Sequence, residues 1–187
     1  YILKVLSRAA AGQIFDKSIF CVPGETNSGK GCLSDMLIAA FGEFVGTINS
    51  GVFKSVQING DQAKARSWMV PLKDCRMLIA NEIKMDSDLD ASIIKTLSSG
   101  GDTVTARQNF QNEHTFALQS TCFLFMNDMP KIRGCDEATS NRMRFVSTEY
   151  SYLERDEYER HKHSTYVRPA DTTLKSHFIK QMKNIQD

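Results

Sequence analysis

Little in this sequence leans one way. Lysine plus arginine number 23 against 22 aspartate plus glutamate, a formal net charge of +1. No global basic footprint therefore announces a polyanion, and any nucleic-acid contact must come from a local patch or a central channel. No apolar run is long enough to cross a bilayer, and no signal peptide is evident. The five cysteines (Cys21, Cys32, Cys75, Cys122, Cys135) include no C-x-x-C pair. That usage fits a reduced, intracellular protein and argues against zinc. His161 and His163 lack cysteine or carboxylate partners at metal-ligand spacing. Internal repeats and low-complexity segments are missing too. The 187 residues suffice for one domain with a sizeable core. They open at Tyr1 with a helix-like segment and no methionine, which suggests a piece of something longer.

What is present is a phosphate-cradling loop. Gly24-Glu25-Thr26-Asn27-Ser28-Gly29-Lys30 has the pattern G-x-x-x-x-G-K, followed by Gly31 and Cys32. Glycines let successive backbone N–H groups turn inward, and the lysine adds a mobile positive charge for the outer phosphates. At roughly 7% glycine the three fixed positions arise by chance in about one such chain in twenty, so context decides. Ile19 to Val22 is a short apolar run suited to a buried parallel strand. Beyond the loop, Leu33, Met36, Leu37, Ala40 and Phe41 recur at helical spacing, with Gly42 as a stop. Strand, loop and helix come in the required order. The position after Lys30 is the departure: Gly31 stands where a serine or threonine hydroxyl holds magnesium, and Cys32 is a poor substitute.

The rest follows in chain order. Tyr1 to Phe15 predicts a helix packing beside the nucleotide site. Phe44 to Phe53 predicts a short strand with turns at Gly46 and Gly51, and Asp61 to Met69 a helix broken before Pro71. Arg76 to Glu82 is an apolar strand ending in an acid, at the strand end where ligands of open α/β sheets bind. Glu82 is the candidate general base for the attacking water, and Asn81 occupies the position of a second carboxylate. Thr103 to Ala106 is strand-like, Phe116 to Leu118 can return, and Gln108 to His114 would be a polar tip. Arg107, Asn109, Phe110 and His114 there combine positive charge with an aromatic face, as single-strand binding requires. Thr121 to Met126 is another buried-strand run, closed by Asn127. Asp128 to Pro130 is a turn and Lys131 to Thr139 a polar loop. Asn141 to Val146 is an arginine-bearing loop entering a final strand. Tyr150 to His163 is dense mixed charge, expected to be a solvated helix or linker. Asp171 to Met182 returns to helix, capped by Asp171 or Thr172.

Taken together, the Asn-Ser-Gly-Lys loop, Asn81-Glu82, Ile94 to Arg107, Phe125 to Pro130 and Asn141 to Phe145 form an ordered set that resembles superfamily 3 helicases. The likeness is to the poxvirus-type primase-helicases of large DNA viruses and related phage and plasmid proteins. The resemblance implies an AAA+-like P-loop α/β fold, a mostly parallel five-stranded sheet with helices on both faces and the loop strand central. Residues 1–149 would be the ATPase core with its flanking helix, and residues 150–187 a charged linker with a helical extension. It implies ATP and Mg2+ as cofactors, the metal held through Glu82 and water with Asn81 behind. It places Lys95, Asp102 and Arg107 in a motif leading to a hairpin that faces a ring's channel, and makes Asn127 the sensor of the terminal phosphate. Arg142, or failing it Arg144, becomes a finger donated to the neighbouring subunit. The implied partners are single-stranded or forked DNA, a homo-oligomer, usually a hexamer, and a primase module in the parent chain. The implied location is the host cytoplasm or a viral replication site, with no membrane.

Two other readings remain at this level. A nucleotide kinase also uses Gly-Lys-Gly, although no arginine-rich lid segment is visible. A P-loop scaffold that binds without hydrolysing would explain Gly31 and Asn81.

Overall fold

The computed structural model describes residues 1–54, 61–83 and 88–186, with the side chains of Glu82 and residues 183–186 outside that description. Helix α1 (Ile2–Ala10) precedes β1 (Ile19–Pro23), α2 (Lys30–Phe41) and β2 (Val45–Ile48). One helical turn, α3 (Gln62–Ala65), leads through a 3₁₀ stretch, Ser67–Leu72, to β3 (Met77–Ile83). Then come β4 (Leu89–Asp90), α4 (Ala91–Leu97) and a hairpin of β5 (Thr103–Ala106) and β6 (His114–Ala117). β7 (Thr121–Met126), β8 (Ile132–Arg133), α5 (Glu137–Ser140) and β9 (Met143–Phe145) follow. The chain closes with β10 (Ser151–Leu153), α6 (Arg155–His161), β11 (Val167–Pro169) and α7 (Leu174–Gln186).

Five strands form one sheet in the order β2-β3-β7-β1-β9, every pair parallel. Parallel sheets are covered on both faces, so their strands are apolar throughout rather than alternating; all six residues of β7 are buried. Along β1 the side chains divide. Ile19 and Cys21 join a core with Phe53, Met69, Ile94 and Leu97, while Phe20 and Val22 join Val5 and Ala9 of α1 and Leu37 of α2. Phe20 stacks on Phe123 at 5.6 Å between ring centroids, a pair that adds about 0.5–1.5 kcal/mol beyond its area. Helices thus cover both faces, and the fold is the AAA+-like P-loop arrangement expected. The loop strand is interior but not central, since β7 holds the middle.

Three local expectations need correcting. Gly46 lies inside β2 rather than at a turn: a Cβ there would sit 2.6 Å from Leu72 Cδ2 and 2.9 Å from Cys75 Sγ, so only glycine lets the 3₁₀ segment close on the strand. The helix from Asp61 stops at Ala65, and a 3₁₀ stretch with Pro71 inside it carries the chain to Leu72 instead. Lys131 to Thr139 is no plain loop. Ile132 and Arg133 pair in parallel with Leu89 and Asp90, and Asp136 caps α5, accepting from the Thr139 N–H at 2.9 Å. No described helix is long and apolar enough to cross a membrane.

Candidate functional site: the cleft at the loop after β1

The loop is fixed where it leaves β1. The Gly24 N–H donates to the Met126 carbonyl at 3.1 Å, and the Thr148 N–H donates to the Pro23 carbonyl at 3.0 Å. Thr148 lies so close that its Oγ1 would collide with any Cβ on Gly24. Asn27 (φ +64°) and Gly29 (φ +86°) are both left-handed, the conformation glycine and asparagine tolerate best. Their turn aims the first N–H groups of α2 into the cleft, where the helix dipole favours an anion. Glu25, Thr26 and Asn27 are exposed and Ser28 is buried.

Lys30 folds back over this loop. Its Nζ donates to the Gly24 carbonyl at 2.5 Å, the Glu25 carbonyl at 2.8 Å and Ser28 Oγ at 2.9 Å. Partial burial lowers its pKa. Three oxygens of its own loop thus surround an ammonium that has lost water, and phosphate oxygens are the natural replacement for them. The residues fit a polyphosphate. Gly31 has open space where a Cβ would stand, so sterics do not exclude a hydroxyl there. Cys32 is half-buried, its Sγ 3.7 Å from Met36 Sδ.

Parallel pairing carries the other predicted groups to the same end of the sheet. Pro23 of β1 and Ile83 of β3 both register with Met126 of β7, and β3 shifts register between Ala80 and Ile83. Asn81 and Glu82 occupy that irregularity. The Asn81 side-chain amide donates to Ser34 Oγ at 3.3 Å, on the buried side of the first turns of α2. The Glu82 backbone lies at the strand end, and its side chain falls outside the described residues. Asn127, just beyond β7, lines the same cleft as Lys30. No cluster of three His, Cys, Asp or Glu side chains that could hold a metal occurs among the described residues.

The cleft has a volume of about 810 Å³, and one of its walls comes from the charged C-terminal stretch. Tyr152 of β10 together with Pro169, Ala170, Asp171 and Leu174 forms it. The Tyr152 N–H donates to the Asn27 carbonyl at 2.9 Å, which ties β10 to the loop, while α6 is the solvated helix expected, with no buried residue. The only sequence signal was the alternation Tyr150, Tyr152, and Leu153 beside it, inside a charged stretch too short to show a period.

The arginines lie elsewhere. Met143 registers with Ile19, the start of β1, so Arg142 is level with Ser18 at the opposite end of the sheet from the loop, about 17 Å from Pro23 at the usual rise per residue. Its Nη1 donates to the Ala138 carbonyl at 2.8 Å, and its Nε is buried with no partner among the described residues. Arg144 is exposed on the edge strand, its Nη1 on the carbonyls of Asn141 (2.8 Å) and Met143 (3.1 Å). Neither reaches the loop of its own chain, and Arg144 is the freer of the two. Both remain candidates for a neighbour's site only.

At the hairpin, the expected basic contacts are already partnered. Lys95 Nζ donates to Asp136 Oδ2 at 2.7 Å, which holds that carboxyl well below the usual range. Arg107 pairs with Asp61, its Nε donating at 3.0 Å, and this lowers the Asp61 pKa. Asn109 and His114 are exposed. Phe110 is fully exposed at the tip with φ +61°, unusual for a bulky residue.

The sheet order, the loop and the strand-end amides define a P-loop α/β domain. Residues 22–144 match DUF5906, a family of unknown function, and the chain belongs to that family. Among curated relatives, candidate helicase V13 of Sputnik virophage is 34% identical over 153 residues, covering 81% of this chain and 20% of its own length. Candidate helicase L207/L206 of Acanthamoeba polyphaga mimivirus is 23% identical over 178 residues, covering 95% and 18%. Candidate helicase 184R of Invertebrate iridescent virus 6 is 28% identical, covering 73% and 14%. The chain thus spans a fifth or less of these relatives. Two structures of the NrS-1 C-terminal region (305–718) share the fold, with TM-scores of 0.60 and 0.61 at 14% and 15% identity, over 97% and 98% of this chain and 38% and 39% of theirs. The superfamily 3 likeness carried by the motifs holds.

Proposed function

We propose that this chain is the motor domain of a viral or plasmid replicative DNA helicase, which hydrolyses ATP to move along single-stranded DNA and separate duplex. The observation that carries this reading is that Lys30 and Asn127 line one cleft, with β3 ending at the same end of the sheet, together with relatives named as helicases. In this reading the glycine-lined loop and Lys30 bind the phosphates, and Asn127 orients the lytic water or the terminal phosphate, since an amide can donate and accept at once. Glu82 takes the proton from that water. Bound magnesium neutralises charge on the transferring phosphoryl group. Arg142 or Arg144 acts on the adjoining subunit's nucleotide, so turnover depends on assembly, a hexameric ring in the family pattern, at an intracellular replication site. A primase module belongs to the parent protein.

The test is nucleotide binding and ATP turnover with and without single-stranded DNA, for the parent chain and for Lys30→Ala and Glu82→Gln. Lys30→Ala should lose binding. Glu82→Gln should keep it while turnover drops at least a hundredfold. Tight ATP binding with no turnover by the parent would favour a scaffold, and phosphoryl transfer to a nucleotide a kinase.

A further inference from the structure

The wall beside the loop is unlike the loop itself. Tyr152 and Leu174 leave 44% and 47% of their surfaces exposed, and both border the cleft, facing Leu33 and Met36 of α2. Large apolar side chains gathered along one side of a cleft whose other side is a phosphate loop call for a ligand with an apolar body and an anionic tail. The wall is also rigidly built. The Tyr152 N–H is bound to the Asn27 carbonyl, and a Cβ on Gly29 would lie at ordinary contact distance, 3.9 Å, from the tyrosine ring. The Ala170 N–H donates to the Leu153 carbonyl at 2.8 Å, fixing the segment between β11 and α7. Asp171 Oδ1 accepts from the Thr173 N–H at 2.9 Å and from Thr173 Oγ1 at 2.7 Å. An ion pair between Lys175 and Asp35 clamps the start of α7 to α2.

We infer that the folded-back segment from β10 to α7 is the base-and-sugar half of the nucleotide site, with the Tyr152 ring as the face against which the base lies and Leu174 closing the other side. This rests on the loop binding the phosphates, as proposed above. The loop alone grips any polyphosphate, and the folded-back wall is what makes the ligand a nucleotide. Every base has a π-face, and an aromatic platform anchored to the loop by its own backbone meets that face without ordering cost at binding.

The experiment compares two ligands on the full chain, ATP and inorganic tripolyphosphate, by calorimetry in one buffer, for the parent and for Tyr152→Ala, Tyr152→Phe and Leu174→Ala. The parent should bind ATP more tightly than tripolyphosphate. Tyr152→Ala should lose about tenfold for ATP with tripolyphosphate changed less than twofold, Tyr152→Phe should restore ATP affinity, and Leu174→Ala should lose a smaller factor for ATP alone. Equal weakening toward both ligands would mean a disturbed loop and would overturn the inference, as would ATP binding no tighter than tripolyphosphate in the parent. If the parent bound neither, the phosphate reading itself would fall, and this one with it.

Discussion

Among the described residues three other than glycine have positive φ, Lys17, Asn27 and Phe110, and the turns that hold the last two, after β1 and between β5 and β6, are finished in opposite ways. The first is braced along its length. Lys30 caps it from within, β10 binds its carbonyl, and Thr148 leaves no room above Gly24. The second is braced only at its base. The Arg107 N–H donates to the Ala63 carbonyl at 3.0 Å, Arg107 pairs with Asp61, and the Thr105 and Thr115 hydroxyls meet across the strands at 3.0 Å, while the phenyl ring beyond them touches nothing. A closed loop is organised in advance for a small ligand whose groups replace internal hydrogen bonds. An open tip on a stiff base suits a large ligand that arrives from outside, and the strain at Phe110 persists because the base holds it.

The largest effect should come from filling the closed turn. Gly24→Ala places a methyl against Thr148 Oγ1 and Ser28 Oγ, an overpacking that costs about 1–3 kcal/mol. Urea unfolding should show that loss, and ATP affinity should fall with it. Adding Thr148→Ala should return much of both, because it removes the nearer atom. If Gly24→Ala were neutral, the loop would be no more closed than the tip.

The open turn should respond the other way. Phe110→Ala should leave stability within about 0.5 kcal/mol, since nothing packs on the ring, but reduce affinity for single-stranded DNA about tenfold, the loss of one stacked base. Fluorescence anisotropy with a labelled oligonucleotide measures it. An unchanged affinity would remove the tip from the DNA path, leaving the ring's exposure without a role.

The same contrast marks what was legible in the residues. β1, β3 and β7 stood out because strands buried on both faces are unbroken apolar runs, and the hairpin stood out through β-branched residues around a polar tip. Gly46 misled because a glycine required by a neighbouring 3₁₀ segment looks like one required by a turn, and the neighbour, Leu72, is 26 positions away. The wall at Tyr152 was hidden for a different reason. β10 and β11 are three residues each, partly exposed, and paired across the charged helix α6. Segments that short have no measurable period, so the charge around them dominated. The pairing of Arg107 with Asp61 was equally invisible, since the two lie on separate elements and their meeting depends on how β5 packs against α3.

That pair gives the smallest and most discriminating effect. Asp61 titrates below its ordinary value, about 3.9, chiefly because Arg107 donates to it and then because the Lys64 N–H does. A carboxyl with a lowered folded pKa contributes stability that is fully present above the ordinary value and is lost as pH falls through the folded one. Asp61→Asn keeps the cap on α3, because asparagine caps as well as aspartate, and removes the charge. The stability gap between parent and variant should therefore be small at pH 6 and shrink toward zero below pH 4, read from unfolding curves at each pH. At neutral pH the variant leaves Arg107 without its ion-pair partner, with the charge of Glu113 beside it. Its affinity for single-stranded DNA should rise, and the dependence of that affinity on salt should steepen, because one more cation is free to displace counterions from phosphates. Phe110→Ala and Asp61→Asn thus push DNA binding in opposite directions from two ends of one hairpin. A variant that lost DNA affinity on freeing Arg107 would show that the acidic partner positions the arginine rather than restrains it.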